Sequence, residues 1–209
     1  SRVAAAPFVI AVGPMVPAEV LTLSDFIKWG KANPSKASYG SSGAGSIPHF
    51  TGVAIGKATS FDWTHVAYKG AAPAMNDLLG GQIAANVSVM SNALPHIKAG
   101  KLRALAISSL ERSAALPNVP TFAEAGIKDA TAVEWFGLFA PAKTPADIIA
   151  KLNQAVNKAA SSPAFKEALS KGAFESLAND SGASLAQAVK VDITRWGQIV
   201  KLSGFTPED

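Results

Sequence analysis

Tyr39-Gly-Ser-Ser-Gly-Ala-Gly-Ser46 places three glycines and three serines between a short segment that can form a strand, 36–39, and a longer one, 47–58, that can form a helix. Glycine permits positive φ and a close approach of the backbone, so several N–H groups of such a loop can point to one place. The serine hydroxyls and the positive end of the helix dipole favour an anion there. Residues 40–46, here called the Ser/Gly loop, therefore predict a site for an oxyanion such as a carboxylate. A flexible surface turn has the same composition and is the alternative.

The composition is that of a folded protein with a sizeable core. Of the 209 residues, 48% are hydrophobic and 16% are charged, which disfavours disorder. This length is enough for one large domain, or for one domain and part of another. The net charge is +4 and the lysines and arginines are scattered, so nucleic-acid binding is not indicated.

The chain contains no cysteine, which excludes disulfides and cysteine-based metal sites and is compatible with the cytoplasm or a bacterial periplasm. No segment has the run of about 18 apolar residues that spans a membrane. No signal peptide is visible either. Segments typical of strands, 3–6 and 8–12, begin almost at the first residue. We therefore expect the sequence to begin in the middle of a longer fold.

Strand and helix patterns alternate up to Glu134. Apolar, β-branched or aromatic runs predict strands at 8–12, 61–68, 83–89 and 102–107. Helix starts are predicted at the capping box Thr22–Asp25, after the Ser/Gly loop, at about Ala72, at Ser91-Asn92 and at a second capping box, Thr121–Glu124. This alternation predicts a parallel or mixed α/β sheet. Because ligands of such sheets bind beyond the carboxyl ends of the strands, loops 40–46, 69–72 and 88–92 are expected to form one site.

The remainder of the chain is predicted to be helical after one more strand, 135–140. Helices are expected to begin at Thr144-Pro145 and Ser162-Pro163. A third helix carries an apolar stripe formed by Leu185, Val189, Ile193, Trp196 and Val200. Since residues 134–209 offer a single strand, we expect this stripe to pack against the preceding α/β part or against a second copy of the chain.

Residues with catalytic potential do not form a recognisable set. His49, His65 and His96 lie in different predicted elements, without metal-ligand spacing. The Ser/Gly loop is close to a nucleophile elbow, but Ala44 replaces the required glycine. Tyr68 and Lys69 follow a strand and either contact a ligand or serve as core and surface residues. We therefore predict no metal, no cofactor and no enzymatic activity, and a chain that holds a molecule without transforming it.

Several motifs in a fixed order resemble one family. They are Tyr39–Ser46 with His49, Tyr68-Lys69-Gly70 with Pro73-Ala74, Asp77–Gln82, Ala93–Ala106, Asn118–Gly126 and Trp135–Pro141. Together they are similar to the Bug family of extracytoplasmic solute receptors, the substrate-binding proteins of tripartite tricarboxylate transporters. The resemblance covers essentially the whole chain, 1–209.

The resemblance implies an α/β fold of the periplasmic-binding-protein-like type II class. Residues 7–129 would form one complete α/β lobe, the second of the family, which carries the ligand-binding loops. Residues 1–6 and 130–209 would supply only hinge strands and the C-terminal helices of the first lobe. The chain is thus expected to be N-terminally truncated relative to the family.

The resemblance also implies a set of ligand-binding residues. These are Ser41, Ser42, Gly43, Ala44, Gly45, Ser46, His49, Tyr68, Lys69, Gly70, Ser88, Ser91 and Asn92. The chain departs from the family at Ala84 and Ser88, where aspartate is usual, and at Val53, where glutamate is frequent. These departures leave the ligand open among dicarboxylates, tricarboxylates, amino acids and aromatic acids.

The implied function is capture of a small carboxylate in the periplasm and its delivery to a membrane permease. One alternative is a sensor that feeds a membrane signalling system. Another is a small hydrolase that uses Ser42 or Ser46 as nucleophile. Self-association through the C-terminal helices is a further expectation.

Overall fold

The computed structural model describes residues 1–127 and 130–206. Its strands are β1 (Arg2–Val12), β2 (Ser38–Ser41), β3 (Thr64–Ala67), β4 (Ala85–Val89), β5 (Arg103–Ile107), β6 (Val133–Gly137) and β7 (Glu175–Ser176). Its helices are α1 (Leu23–Ala32), α2 (Ile47–Thr59), α3 (Ala71–Leu79), α4 (Met90–Lys98), α5 (Ala146–Ser161), α6 (Pro163–Lys171) and α7 (Gly182–Ser203). The predicted alternation of strands and helices, followed by a helical C-terminal part, is confirmed.

The main sheet is mixed, with strand order β3-β2-β4-β1-β5. Strand β2 is parallel to both β3 and β4, whereas β1 is antiparallel to β4 and β5. The three parallel strands therefore end at the same edge of the sheet. Each of them leads into a helix, α2, α3 or α4.

Strand β1 is long because it belongs to two sheets. Its first part, up to Pro7, pairs with β6 and β7, and its second part, from Phe8, pairs with β4 and β5. The residues from Ala4 to Val12 are all buried, as expected for a strand covered on both faces. The change of partners falls close to the predicted lobe boundary at residues 6 and 7. The other predicted boundary, at Asp129, lies outside the described residues.

Two apolar cores lie on the two faces of the main sheet. The alternation of side chains along β1 sends Phe8, Ile10 and Val12 to one core and Val9 and Ala11 to the other. The first core contains a cluster of aromatic rings from α1, β2 and the segment before β3: Phe26, Tyr39, Phe61 and Trp63. This cluster lies directly beneath the start of the Ser/Gly loop, since Tyr39 belongs to β2.

Helix α7 covers part of the main sheet's helical layer. Leu185 is buried and Trp196 packs against the first core, whereas Ile193 is 68% exposed. Beyond the helix, the ring of Phe205 makes edge contacts with His49 and Phe50 of α2. The predicted stripe thus packs against the α/β part at Trp196, and self-association stays a prediction.

Three predicted helix caps differ in the structure. Helix α4 begins at Met90, so Ser91 and Asn92 lie inside its first turn and no side chain caps it. The Thr144 hydroxyl donates to the carbonyl of Pro141 and does not cap α5. Thr121 and Glu124 do form the reciprocal bonds of a capping box, but only a turn comes after them. In each case a local motif is present, and the tertiary path of the chain decides whether a helix begins at it.

An ion pair between Arg2 and the buried carboxylate of Asp180 joins the start of β1 to the segment before α7. The Asp180 carboxylate accepts hydrogen bonds from the Arg2 backbone N–H (2.6 Å) and from the Arg2 guanidinium (2.9 Å). Its side chain is 5% exposed. Burial alone would raise the pKa of Asp180, but these bonds and the positive charge of Arg2 lower it below its ordinary value of 3.8. The charged carboxylate is therefore stabilised in the folded state.

Replacing Asp180 with asparagine is expected to lower the free energy of unfolding by about 2 kcal/mol at neutral pH, because charge-assisted hydrogen bonds are lost. Since the folded-state pKa is lowered, this contribution is present above the ordinary pKa of 3.8 and is lost as the pH falls through that value towards the lowered one. Urea denaturation of both proteins at neutral and acidic pH checks this.

Asp147→Asn is the matched control. Asp147 Oδ2 lies 3.8 Å from Nζ of Lys151, one helical turn further along α5, and both side chains are exposed. Its replacement should change the free energy of unfolding by less than about 0.5 kcal/mol. Equal effects of the two substitutions would contradict the assignment of a stabilising role to the buried pair.

Candidate ligand-binding site

The Ser/Gly loop and the segment after β3 are held together by backbone hydrogen bonds. The Tyr68 N–H donates to the Ser41 carbonyl (3.1 Å) and the Gly70 N–H donates to the Ser42 carbonyl (3.0 Å). Both segments lie at the edge where the parallel strands end. The predicted meeting of loops 40–46 and 69–72 is thus what the structure has.

Within the Ser/Gly loop, the Gly43 carbonyl is the central acceptor. It receives hydrogen bonds from the hydroxyls of Ser46 (2.7 Å) and Ser41 (3.0 Å). The Ser46 hydroxyl also accepts from the His49 N–H and so caps helix α2. The hydroxyls of Ser41 and Ser46 therefore maintain the loop, and Ser41 is fully buried. Ser42 is the loop serine whose hydroxyl has no hydrogen-bond partner among residues 1–127 and 130–206.

The loop reaches α2 through Gly45, which has a φ of +75°. In this left-handed conformation, its N–H donates to His49 Nδ1 at 3.1 Å. A Cβ atom added to Gly45 would lie 2.9 Å from Cζ of Phe205. Both the backbone conformation and the contact with the C-terminal segment thus require glycine here.

The structure brings together two histidines that the sequence places in separate elements. The rings of His49 and His65 are stacked, with 3.9 Å between their centroids and 11° between their planes. His65 Nε2 lies 2.7 Å from the Ser41 hydroxyl oxygen. Sequence reasoning missed His65. A usable signal was the parallel register, because Tyr39 and His65 are paired residues of β2 and β3.

The surroundings of both imidazoles favour the neutral ring. Burial lowers the pKa of His49 below 6.5. Burial, followed by the charge of His49, lowers the pKa of His65 to about 4. The rings therefore contribute hydrogen bonds and packing to the loop at neutral pH, and no positive charge. The dipole of helix α2 is left to attract an anion. The N–H groups of Gly45, Ser46 and His49 are used within the loop, and Pro48 in the first turn has none.

In the segment after β3, the side chain of Tyr68 is half-buried and that of Lys69 is exposed. The Tyr68 hydroxyl donates to Asp77 Oδ2 at 2.7 Å. Burial, this hydrogen bond and the charge of Asp77 raise the pKa of Tyr68 to about 12. Lys69 is exposed, and Gly70 precedes α3, whose first turn no side chain caps. Lys69 and the start of α3 are therefore accessible to an anion at this edge.

Strand β4 supplies two buried polar side chains to the same region. Asn86 is level with Gly40 of β2 and its amide donates to the Gly40 carbonyl at 3.2 Å. Ser88 lies two residues further towards the strand end. Its hydroxyl and Asn86 Oδ1 are buried and, within the described part of the chain, have no hydrogen-bond partner. Among the predicted residues of this loop, Ser88 is buried, Ser91 half-buried and Asn92 exposed.

The site does not have the arrangement of a serine nucleophile. The Ser46 hydroxyl is used within the loop. The serine that contacts a histidine is Ser41, which is fully buried. In the ranges 1–127 and 130–206, no carboxylate is hydrogen-bonded to His65, and no group of His, Cys, Asp or Glu has an arrangement that could hold a metal ion. None of the described helices is long and apolar enough to cross a membrane.

A mixed α/β sheet whose parallel strands lead into loops and helix N-termini at one edge is the architecture of an α/β ligand-binding lobe, as in periplasmic binding proteins. The profile of one family, described as "Tripartite tricarboxylate transporter family receptor" (TctC), matches residues 1–205. The chain belongs to this family, whose members are periplasmic binding proteins and not enzymes. The Bug-type resemblance and the fold class predicted from the sequence are thus confirmed, and the hydrolase alternative is dropped.

Individual relatives support this assignment. BugT of Bordetella pertussis is 35% identical over 205 residues, which are 98% of this chain and 62% of BugT. The structure of R. palustris Rpa4515 with adipate superposes with a TM-score of 0.89 at 28% identity, over 99% of this chain and 68% of that one. The structure of MatC from Rhodopseudomonas palustris with bound malate superposes with a TM-score of 0.82 at 28% identity. The match covers 95% of this chain and 68% of MatC. The chain thus spans about three fifths of the length of BugT.

Proposed function

We propose that this chain captures a small carboxylate, with a dicarboxylate as the favoured class. The observation that carries the proposal is the hydrogen-bonded union of the Ser/Gly loop with the segment 68–70 at the starts of α2 and α3. One helix terminus contributes about 0.3–1 kcal/mol to anion binding, whereas micromolar affinity requires about 8 kcal/mol. Several convergent donors are therefore needed, and at this edge Lys69, the Ser42 hydroxyl and the start of α3 are the candidates for them.

The ligands of two relatives support the dicarboxylate class. Rpa4515 is described with adipate and MatC with malate, and both molecules carry two carboxylates. In this chain, exposed Lys69, the unpaired Ser42 hydroxyl and two helix starts can receive one carboxylate. The second carboxylate would have to be received elsewhere in the protein.

We further propose the two-lobe division, with 7–129 as one lobe and 1–6 with 130–209 as part of another. The change of partners along β1 supports it. So does the exposure of large apolar side chains on and after β6, such as Phe136, Leu138 and Phe139. The family relationship supports a periplasmic location and delivery to a membrane permease, with a signalling role as the alternative outcome.

A thermal-shift screen of the chain tests the proposal. Malate, adipate, citrate, glutamate and benzoate form the panel, with phosphate and sulfate as non-carboxylate anions. A ligand at a hundred times its dissociation constant should stabilise the folded chain by about 2.7 kcal/mol. We expect a shift with a dicarboxylate and none with phosphate or sulfate.

Ser42→Ala should weaken binding of that ligand about tenfold, because a charge-assisted hydrogen bond is lost. Ser24→Ala, on the exposed face of α1, is the matched control and should leave the affinity unchanged. Isothermal titration calorimetry measures both. Equal affinities of the Ser42 and Ser24 variants would contradict the role of the loop, and the absence of any shift would contradict carboxylate capture by this chain.

A further inference from the structure

We infer that His49, stacked on His65, holds the Ser/Gly loop in its binding shape only while the His49 ring is neutral, so that acid releases the loop. His49 would thus be a positioning residue that couples ligand capture to pH, with His65 as its stacking partner. The inference rests on the proposed function only where it concerns ligand affinity. Its structural part concerns the loop itself.

The hydrogen bond from Gly45 determines the state of His49. Because the Gly45 N–H donates to Nδ1 at 3.1 Å, Nδ1 must be unprotonated and a neutral His49 carries its proton on Nε2. Protonation of His49 places a second donor at Nδ1, facing the first one. Two donors cannot form a hydrogen bond, so the link between the loop and helix α2 breaks. Loss of this link frees Gly45 from its left-handed conformation.

The stack prevents both rings from being charged together. Ring centroids 3.9 Å apart in nearly parallel planes would place two positive charges in contact. His65 Nε2 lies 2.7 Å from the Ser41 hydroxyl oxygen. Because the single Ser41 hydroxyl proton is donated to the Gly43 carbonyl, His65 Nε2–H is the donor in this contact, and protonation at Nδ1 leaves it in place. The two rings thus contact the loop near its start and near its end, and the contact of His49 is the one that acid breaks.

Within the described residues, no carboxylate is hydrogen-bonded to either imidazole. A groove of about 570 Å³ opens beside the pair, and its titratable lining residues other than the two histidines are Tyr39 of β2, Lys57 of α2 and Asp62 before β3. Neither Lys57 nor Asp62 is hydrogen-bonded to a ring within the described residues. Phe50 stacks on His49 and Phe205 meets its edge. The pair is therefore held among aromatic rings.

The direction of the pH response is set by these contacts. Burial lowers the pKa of both rings, that of His65 to about 4. A lowered folded-state pKa means that the neutral form is the stabilised one. The loop is therefore fully held above the ordinary histidine pKa of 6.5, and its stabilisation is lost as the pH falls from 6.5 towards the lowered values. A carboxylate ligand should be bound more weakly in that range.

Nuclear magnetic resonance of the ligand-free chain tests the structural part. The Gly45 amide signal should move between about pH 7.5 and about pH 4.5, with a midpoint below the ordinary histidine value. In His49→Asn, Oδ1 takes the place of Nδ1 as an acceptor that does not titrate, so the Gly45 signal should no longer follow this transition. His96→Asn, in α4, is the matched control and should keep the wild-type profile.

The affinity for malate or adipate, whichever binds in the screen, tests the functional part. Wild-type affinity should fall about fivefold or more from pH 7.5 to pH 4.5. This ratio is compared with the same ratio in His49→Asn, so that the titration of the ligand itself cancels. A Gly45 signal that is insensitive to pH, or that titrates equally in His49→Asn, would overturn the inference. An affinity that rises in acid would do so too. If neither ligand binds, the Gly45 signal still decides the positioning role, and the proposed function alone fails.

Discussion

Gly52→Ala is expected to lower the free energy of unfolding by about 3 kcal/mol, because it overpacks the core beneath the Ser/Gly loop. A Cβ atom on Gly52 would lie 2.2 Å from Cε2 and 2.4 Å from Cζ of Tyr39. The Tyr39 ring cannot yield easily. It is buried, its centroid lies 4.2 Å from that of Trp63, and its hydroxyl donates to the His49 carbonyl at 3.0 Å. Relief of the overlap must therefore move β2 or α2.

Gly197→Ala is the matched control, since it is also a glycine-to-alanine change inside a helix. Apart from the neighbouring backbone of the helix itself, no atom of the described residues lies within 4 Å of a Cβ placed there. The free energy of unfolding of this variant should rise by about 0.5–1 kcal/mol, because alanine loses less conformational entropy than glycine when a helix forms. Urea denaturation measures both. Unaltered stability of Gly52→Ala would show that Tyr39 has room to move and that the core is looser than described.

Gly45→Ala is expected to reduce the affinity for the carboxylate found in the screen about tenfold or more. The left-handed conformation at φ +75° costs a non-glycine residue about 1–2 kcal/mol. The new Cβ would also displace the Phe205 ring from its present position, 2.9 Å away. We expect the strained loop to adopt another shape in the free protein, so that binding must restore the original one. About 1.4 kcal/mol corresponds to a tenfold change in affinity, so a strain of this size accounts for the expected loss.

Gly43→Ala is the control within the same loop. Its nearest neighbour would be the Tyr68 carbonyl oxygen at 3.7 Å, an ordinary contact. Its affinity should stay within about threefold of the wild type, which is below 1 kcal/mol. Adding Phe205→Ala to Gly45→Ala should restore part of the affinity by removing the overlap, while the backbone strain remains. Calorimetric titration decides, and equal affinities of the two single variants would contradict a special role for Gly45.

The inferred histidine pair gives the Ser/Gly loop a second layer of support. Ser41 and Ser46 use their hydroxyls to fix the Gly43 carbonyl, and the two imidazoles fix Ser41 and Gly45. Such support is what a rigid anion site requires, because donors held in place need not be ordered when the ligand binds. Fewer loop residues are then available to a ligand than the family resemblance implies. Ser42 is the main candidate among those that remain.

Local patterns were sufficient for several features of this protein. The apolar run 8–12, the capping box at Thr22–Asp25 and the Ser/Gly loop before a helix each describe neighbours along the chain. Their outcomes are strand β1, helix α1 and helix α2, which Ser46 of the loop caps. All three depend mainly on backbone preferences and on bonds that span a few residues. The family could be recognised for the same reason, because its motifs are short segments in a fixed order.

The remaining features depend on contacts between residues far apart in the chain. The sharing of β1 between two sheets, the pairing of Arg2 with Asp180 and the stack of His49 on His65 are of this kind. Hydrophobic periodicity states which face of an element is buried but not which partner covers it. The sequence by itself therefore determined most of the elements, the Ser/Gly loop before a helix and the family. Only the tertiary structure decided which side chains support that loop, because their energies arise from packing and hydrogen bonds across space.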